Sequence, residues 1–187
     1  HLGNMRAMVI SDVLVRTLAY SGYKVKFARN YTDVGHLTSD DDEGEDKMAK
    51  GVRREGLSPD EIAQKYINTF EKDVRELNTL EPDFKPRATD YVPEMIEVVK
   101  ILVEKNFAYI TPLAVYFDVS KAKDYTRLSG QILENNIDDA GRGTVSDPNK
   151  RNPADFSVWF FKAGAHENAL QTWSNPFSDK EGFPGWH

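Results

Sequence analysis

A helix-length apolar-periodic stretch, Met5 to Tyr20, begins directly after the tetrapeptide His1-Leu2-Gly3-Asn4 and stops at Ser21-Gly22. The strand-like run Tyr23-Lys24-Val25-Lys26-Phe27-Ala28 follows at once. Few folds accept that order. Ile10, Val13, Leu14, Thr17 and Leu18 recur at three-four spacing and define one helical face, which is expected to pack on a sheet. Glycine suits the left-handed turn that closes a helix. The run then leaves through the tight polar segment Arg29-Asn30-Tyr31-Thr32-Asp33-Val34. Helix, turn, strand and polar exit make half of a βαβ unit, and in such units ligands gather where the strands end.

The opening tetrapeptide has the composition of a phosphate-binding junction. The first N–H groups of a helix lack intrahelical acceptors and the macrodipole is positive there, so a triphosphate meets ready donors. Gly3 allows close approach to the backbone, and His1 and Asn4 carry donors for phosphate oxygens. The plainer alternatives are a capping asparagine and a histidine left over from a tag.

With 40% hydrophobic residues, a chain of 187 residues has material for one sizeable core, or for a core and a satellite subdomain. It holds no apolar run long enough to cross a bilayer and no basic-apolar leader, so a soluble, cytoplasmic protein without membrane contact is expected. The absence of cysteine removes disulfides and leaves the redox compartment open. A net charge of -6 argues against bulk positive charge as a means of holding nucleic acid, so any such contact must use local basic patches.

Further along, the acidic cluster Asp40 to Asp46 lies in a polar stretch between Gly35 and Gly56, read as a mobile loop leading into a short helix near Lys47 to Arg54. Its spacing lacks the alternating ligands and distal glutamate of a calcium loop. Ser58-Pro59-Asp60-Glu61 is a capping box with proline at the first helical position, and Ile62, Tyr66, Ile67, Phe70, Val74 and Leu77 continue as a helical stripe. Pro82 and Pro86 keep Leu80 to Thr89 extended. A helix resumes near Val92, with Met95, Ile96, Val99, Leu102 and Val103 toward a core. Phe107–Ile110 and Ala114–Asp118 read as a hairpin across Thr111-Pro112-Leu113, and Phe156–Phe161 as a buried strand. Ser120 to Pro153 is polar, with a short helix expected near Ser129 to Asn135.

In order along the chain, these segments resemble the class I cysteinyl-tRNA synthetases. The resemblance is carried by His1-Leu2-Gly3-Asn4, Gly22-Tyr23-Lys24-Val25, Arg29 to Val34, Pro86-Arg87-Ala88-Thr89, Val115 to Val119, Leu128-Ser129-Gly130, Lys150 to Phe156, Trp159 and Pro184-Gly185-Trp186-His187. It implies an α/β fold: the first half of a class I synthetase nucleotide-binding, Rossmann-like domain over 1–105, a connective insertion over 106–182, and a return to the catalytic domain at 183–187. It also implies ATP phosphates at His1, Gly3 and Asn4, with His1 and Asn4 stabilising the transition state. Thr32 and Trp186 then line the amino-acid pocket, where the alternatives are a turn-forming threonine and a core aromatic.

Cysteine, ATP and tRNA(Cys) are the partners that the resemblance implies. The family's zinc has its ligands outside this chain, so no metal-binding residue is assigned here. The KMSKS-type loop, the second half of the nucleotide-binding fold and the anticodon-binding region are also missing from these residues. The chain thus reads as an excised piece, inactive by itself. Three functions fit the sequence. The first is a cysteine–tRNA ligase. The second is an adenylate-forming ligase that joins cysteine to a sugar amine, and the third is a non-catalytic fragment or paralogue. Lys150-Arg151-Asn152-Pro153, Trp173, Pro176 and Phe177 are read as structural.

Overall fold

A computed structural model describes residues 2–34, 52, 54–130 and 147–185. The acidic segment Asp40 to Asp46 and nearly all of the two short helices expected near Lys47 to Arg54 and Ser129 to Asn135 lie outside the described residues. The chain divides into two compact units, one formed by His1–Asp33 with Asp60–Asp90 and the other by Val34–Pro59 with Tyr91–His187. The architecture is α/β, combining three α-helices and one antiparallel sheet among the described residues.

The first unit holds helices α1 (Leu2–Tyr20) and α2 (Pro59–Glu76). α1 ends as its sequence demands: Gly22 adopts φ 89°, and the Tyr23 amide reaches back to the Leu18 carbonyl. That closure satisfies a carbonyl that would otherwise lack a partner. Its apolar stripe is a different matter. Ile10, Val13 and Leu14 are 57%, 55% and 58% exposed, so the expected packing of this face on a sheet is not made.

The physical reason is the fate of the strand-like run. Residues 23–27 form no strand, and only the isolated parallel bridges Ala28↔Phe84 and Tyr31↔Arg87 follow. No sheet forms in this unit among the described residues, so the stripe meets none within it. α1 is held instead by its polar side. Asp12 is buried, accepts from the Leu80 amide at 2.7 Å and from Arg16 Nε at 2.7 Å, while Arg16 also donates to the Asn78 carbonyl.

α2 starts on Pro59 with Asp60 and Glu61 in its first turn and Arg75 in its last, charges that suit the two ends of the helix dipole. It stops where Asn78 turns left-handed at φ 57°. Of its predicted stripe, Ile62 and Val74 are buried, whereas Tyr66 and Leu77 are exposed.

In the second unit, helix α3 (Val92–Glu104) lies against a four-stranded antiparallel sheet of β1 (Ala108–Ile110), β2 (Ala114–Phe117), β3 (Phe156–Phe161) and β4 (Gly182–Pro184), in the order β1-β2-β3-β4. The expected hairpin and buried strand are both present, and Trp173 and Phe177 pack against the core as expected. Alternation sorts most of the strand residues, and the register shift at Val115/Tyr116 lets the consecutive Val158 and Trp159 share one side. Val115, Val158, Trp159 and Phe161 join Val92 and Val99 of α3 in one core, whereas Ala114, Tyr116 and Tyr109 face the other side with Phe160. Both faces are therefore covered, and burying a side chain such as Val115 contributes about 1.5–3 kcal/mol.

Candidate functional site

In the first unit, two extended segments run parallel. Arg29 N donates to the Phe84 carbonyl, Tyr31 N to the Pro86 carbonyl at 2.8 Å, and Ala88 N to the Tyr31 carbonyl at 2.9 Å, with Tyr31 bridged to Arg87. Proline has no N–H to give, and at residue 86 only its carbonyl is used. Thr32 follows immediately and is exposed.

Asp33, 4% exposed, comes next. Its carboxylate accepts from Arg87 Nε at 2.7 Å, from the Thr89 amide at 2.9 Å and from the Thr89 hydroxyl. Burial pushes this carboxyl up, but the bonds from Thr89 and Arg87 outweigh it and hold the group below its ordinary range. Asp33 therefore stays ionised, and these donors occupy it. Arg87 reaches on to Asp60 at 2.6 Å, in the first turn of α2.

A second charged cluster braces the same segments. Glu71 of α2 accepts from Arg29 and from Lys85, both at 2.7 Å, and Lys85 also meets Glu81 at 2.7 Å. The Arg29 guanidinium lies 5.3 Å from the centre of the Phe70 ring, within cation–π range. Desolvation raises the Glu71 carboxyl, and the Lys85 and Arg29 bonds more than reverse it. Neither cluster has a role in the sequence reading above, although Arg29, Asp33, Arg87 and Thr89 all fall within its motifs. The signal was there: an Asp in one motif and an Arg with a Thr in the other are complementary in charge and in donors.

Of the residues assigned to ATP, Gly3 is exposed within the first turn of α1. His1 and the side chain of Asn4 lie outside the described residues. The helix starts at Leu2, so Leu2, Gly3 and Asn4 belong to it instead of preceding it. No acidic residue occupies this first turn, in contrast to the Asp60 and Glu61 of α2. The positive end of the α1 dipole thus lacks a carboxylate from its own turn.

Trp186 also lies outside the described residues, but the chain leading to it is closely fixed. β4 sits so near β3 that a Cβ on Gly182 would come 2.2 Å from the Phe160 carbonyl oxygen, and one on Gly185 would come 2.6 Å from that of Ser157. Gly185 N donates to the Val158 carbonyl. Only glycine tolerates both approaches.

Outside these sites one histidine is buried and two basic side chains make local contacts. His166 is wedged among Phe160 and Phe183, with ring centres 4.4 and 5.2 Å away, and its Nε2 has no hydrogen-bond partner. Arg151 lies 4.1 Å over the Tyr109 ring, and Lys150 donates to the Pro153 carbonyl. Those contacts agree with a structural role for the basic segment. Among the described residues no three His, Cys, Asp or Glu side chains converge as metal ligands would, so these residues do not fit a zinc ion. No described helix is long and apolar enough to cross a membrane.

The chain belongs to the family described as the tRNA synthetases class I (C) catalytic domain, whose model matches residues 1–187. Within it, the chain is similar to proteins named cysteine–tRNA ligase. The one from Bacteroides thetaiotaomicron is 44% identical over 190 residues, covering 100% of this chain and 37% of the relative. That from Phocaeicola vulgatus is 44% identical with the same coverage. In Deinococcus radiodurans the relative is 43% identical over 187 residues, covering 100% of this chain and 36% of its own length. The chain therefore spans little more than a third of these relatives.

Proposed function

We propose that the protein containing these residues is a cysteine–tRNA ligase of the cytoplasm. The cysteine carboxylate attacks the α-phosphorus of ATP, the bond to pyrophosphate breaks, and cysteinyl-adenylate forms. A hydroxyl of the terminal ribose of tRNA(Cys) then attacks the adenylate carbonyl, and AMP leaves. No protein nucleophile takes part, so the work of the chain is to align two substrates and to stabilise developing charge.

In this reading His1, Gly3 and Asn4 at the start of α1 hold the ATP phosphates, with His1 and Asn4 donating to the charge that shifts toward pyrophosphate. Thr32 and Trp186 line the cysteine pocket, and residues 106–182 form an insertion within the catalytic domain. One observation carries the reading: the family match runs through all 187 residues. The exposed position of Thr32 at the carboxyl end of a parallel pair, where α/β proteins bind ligands, supports its part in it. Relatives named for tRNA favour the ligase over joining cysteine to a sugar amine.

Cysteine-dependent ATP–pyrophosphate exchange tests the proposal. The full-length protein is expected to exchange pyrophosphate with cysteine and not with serine, and the 187-residue chain by itself is expected to be inactive. Exchange that ignores cysteine would refute it.

A further inference from the structure

We propose that Asp33, Arg87 and Thr89 form a bracket whose task is to position Thr32 toward the amino-acid substrate. The inference rests on the reading of Thr32 as a pocket residue and adds to it the device that holds it in place.

Thr32 is clamped from both sides. Before it, Tyr31 is fixed through its own amide to Pro86 and through its carbonyl to Ala88. After it, the Asp33 carboxylate is bound by the backbone and hydroxyl of Thr89 and by Arg87. With both neighbours tied to residues 86–89, the backbone at residue 32 has little freedom, while its side chain remains exposed. Arg87 extends the bracket to Asp60 in α2, so the clamp is referenced to a helix and not to a loop. A buried ion pair is weak evidence for stability, because desolvation offsets most of its Coulomb attraction. Its directional bonds do fix geometry, and catalytic alignment is sensitive to displacements of about 1 Å.

Arg87 and Thr89 act through Asp33, so they are positioning residues, and their loss has a distinct signature. In the full-length protein, Thr89→Val removes the hydroxyl donor and keeps the backbone bond. It is expected to raise the KM for cysteine roughly tenfold in pyrophosphate exchange, the scale of one hydrogen bond to a charged group. The KM for ATP should stay unchanged, and Thr89→Ser should restore the KM for cysteine. Arg87→Lys, which keeps the charge and loses the planar fork, should raise the same KM and serves as a second probe if Thr89→Val folds poorly.

Thr32→Val separates this inference from the one beneath it. If Thr32→Val raises the KM for cysteine while Thr89→Val and Arg87→Lys change only kcat or melting temperature, the bracket is overturned and the pocket role of Thr32 stands. If Thr32→Val leaves that KM unchanged, both fall.

Discussion

The Tyr109 hydroxyl donates to the Asp155 carboxylate at 2.7 Å inside the second unit, where Asp155 is 1% exposed. The same carboxylate accepts from the amides of Val119 and Asn152, and the same hydroxyl accepts from the Arg151 amide. One buried acid thus ties β1, the turn after β2 and the approach to β3 together. Tyr109→Phe leaves the acid one bond short and the Arg151 amide without its acceptor, and is expected to cost about 1–3 kcal/mol in denaturant unfolding. Burial, the largest cause, together with Asp155 pushes the phenol up to about 12. The unfolded phenol titrates near its ordinary 10.0. The contribution should therefore be intact below pH 10 and fade as the pH rises toward 12, and Tyr109→Phe should flatten that loss.

His166 gives the opposite slope on the acid side. Burial holds its imidazole below the ordinary 6.5, so the unfolded chain takes up a proton before the folded one does. Stability from this group is complete above pH 6.5 and declines as the pH falls through the lower folded value. His166→Phe, which keeps a ring against Phe160 and Phe183, should remove that part of the dependence in thermal melts between pH 7 and 5.

Glu71 faces two cations, and Arg29 is itself buried. Glu71→Gln leaves that guanidinium without its anion and should cost about 3 kcal/mol in denaturant unfolding. A loss under about 0.5 kcal/mol would mean that Glu81 or solvent takes over.

Gly182→Ala forces a methyl into the Phe160 carbonyl and the Trp159 indole. Backbone cannot yield as a flexible side chain does, so β4 must shift, at a cost of about 1–3 kcal/mol. Hydrogen exchange should report the shift as faster exchange at the Lys162 and Trp173 amides, which bond to Glu181 and Gly182.

Leu14→Ser tests the outer face of α1. As Leu14 is 58% exposed, the substitution should change the stability of this chain by no more than about 0.5 kcal/mol. A buried leucine would cost several times more.

The sequence was most legible where a rule acts locally. The Gly22 stop, the proline start of α2, the hairpin across Thr111-Pro112-Leu113 and the apolar strand Phe156–Phe161 all appear where expected. Caps and turns depend on a few neighbouring residues, and those are written in order along the chain. The motifs also carried the family, since a set of short segments in fixed order is a property of sequence itself.

Tertiary structure alone decided which apolar faces are covered and which charges meet. The Ile10, Val13 and Leu14 stripe has the helical period of a core face, yet burial requires a second surface, and periodicity in one segment says nothing about whether another is there to meet it. Asp33 and Thr89 stand 56 positions apart, and Arg29 and Glu71 stand 42 apart. Hydrogen bonds act over about 3 Å, so bonds between residues so distant in sequence exist only once the chain has folded them together.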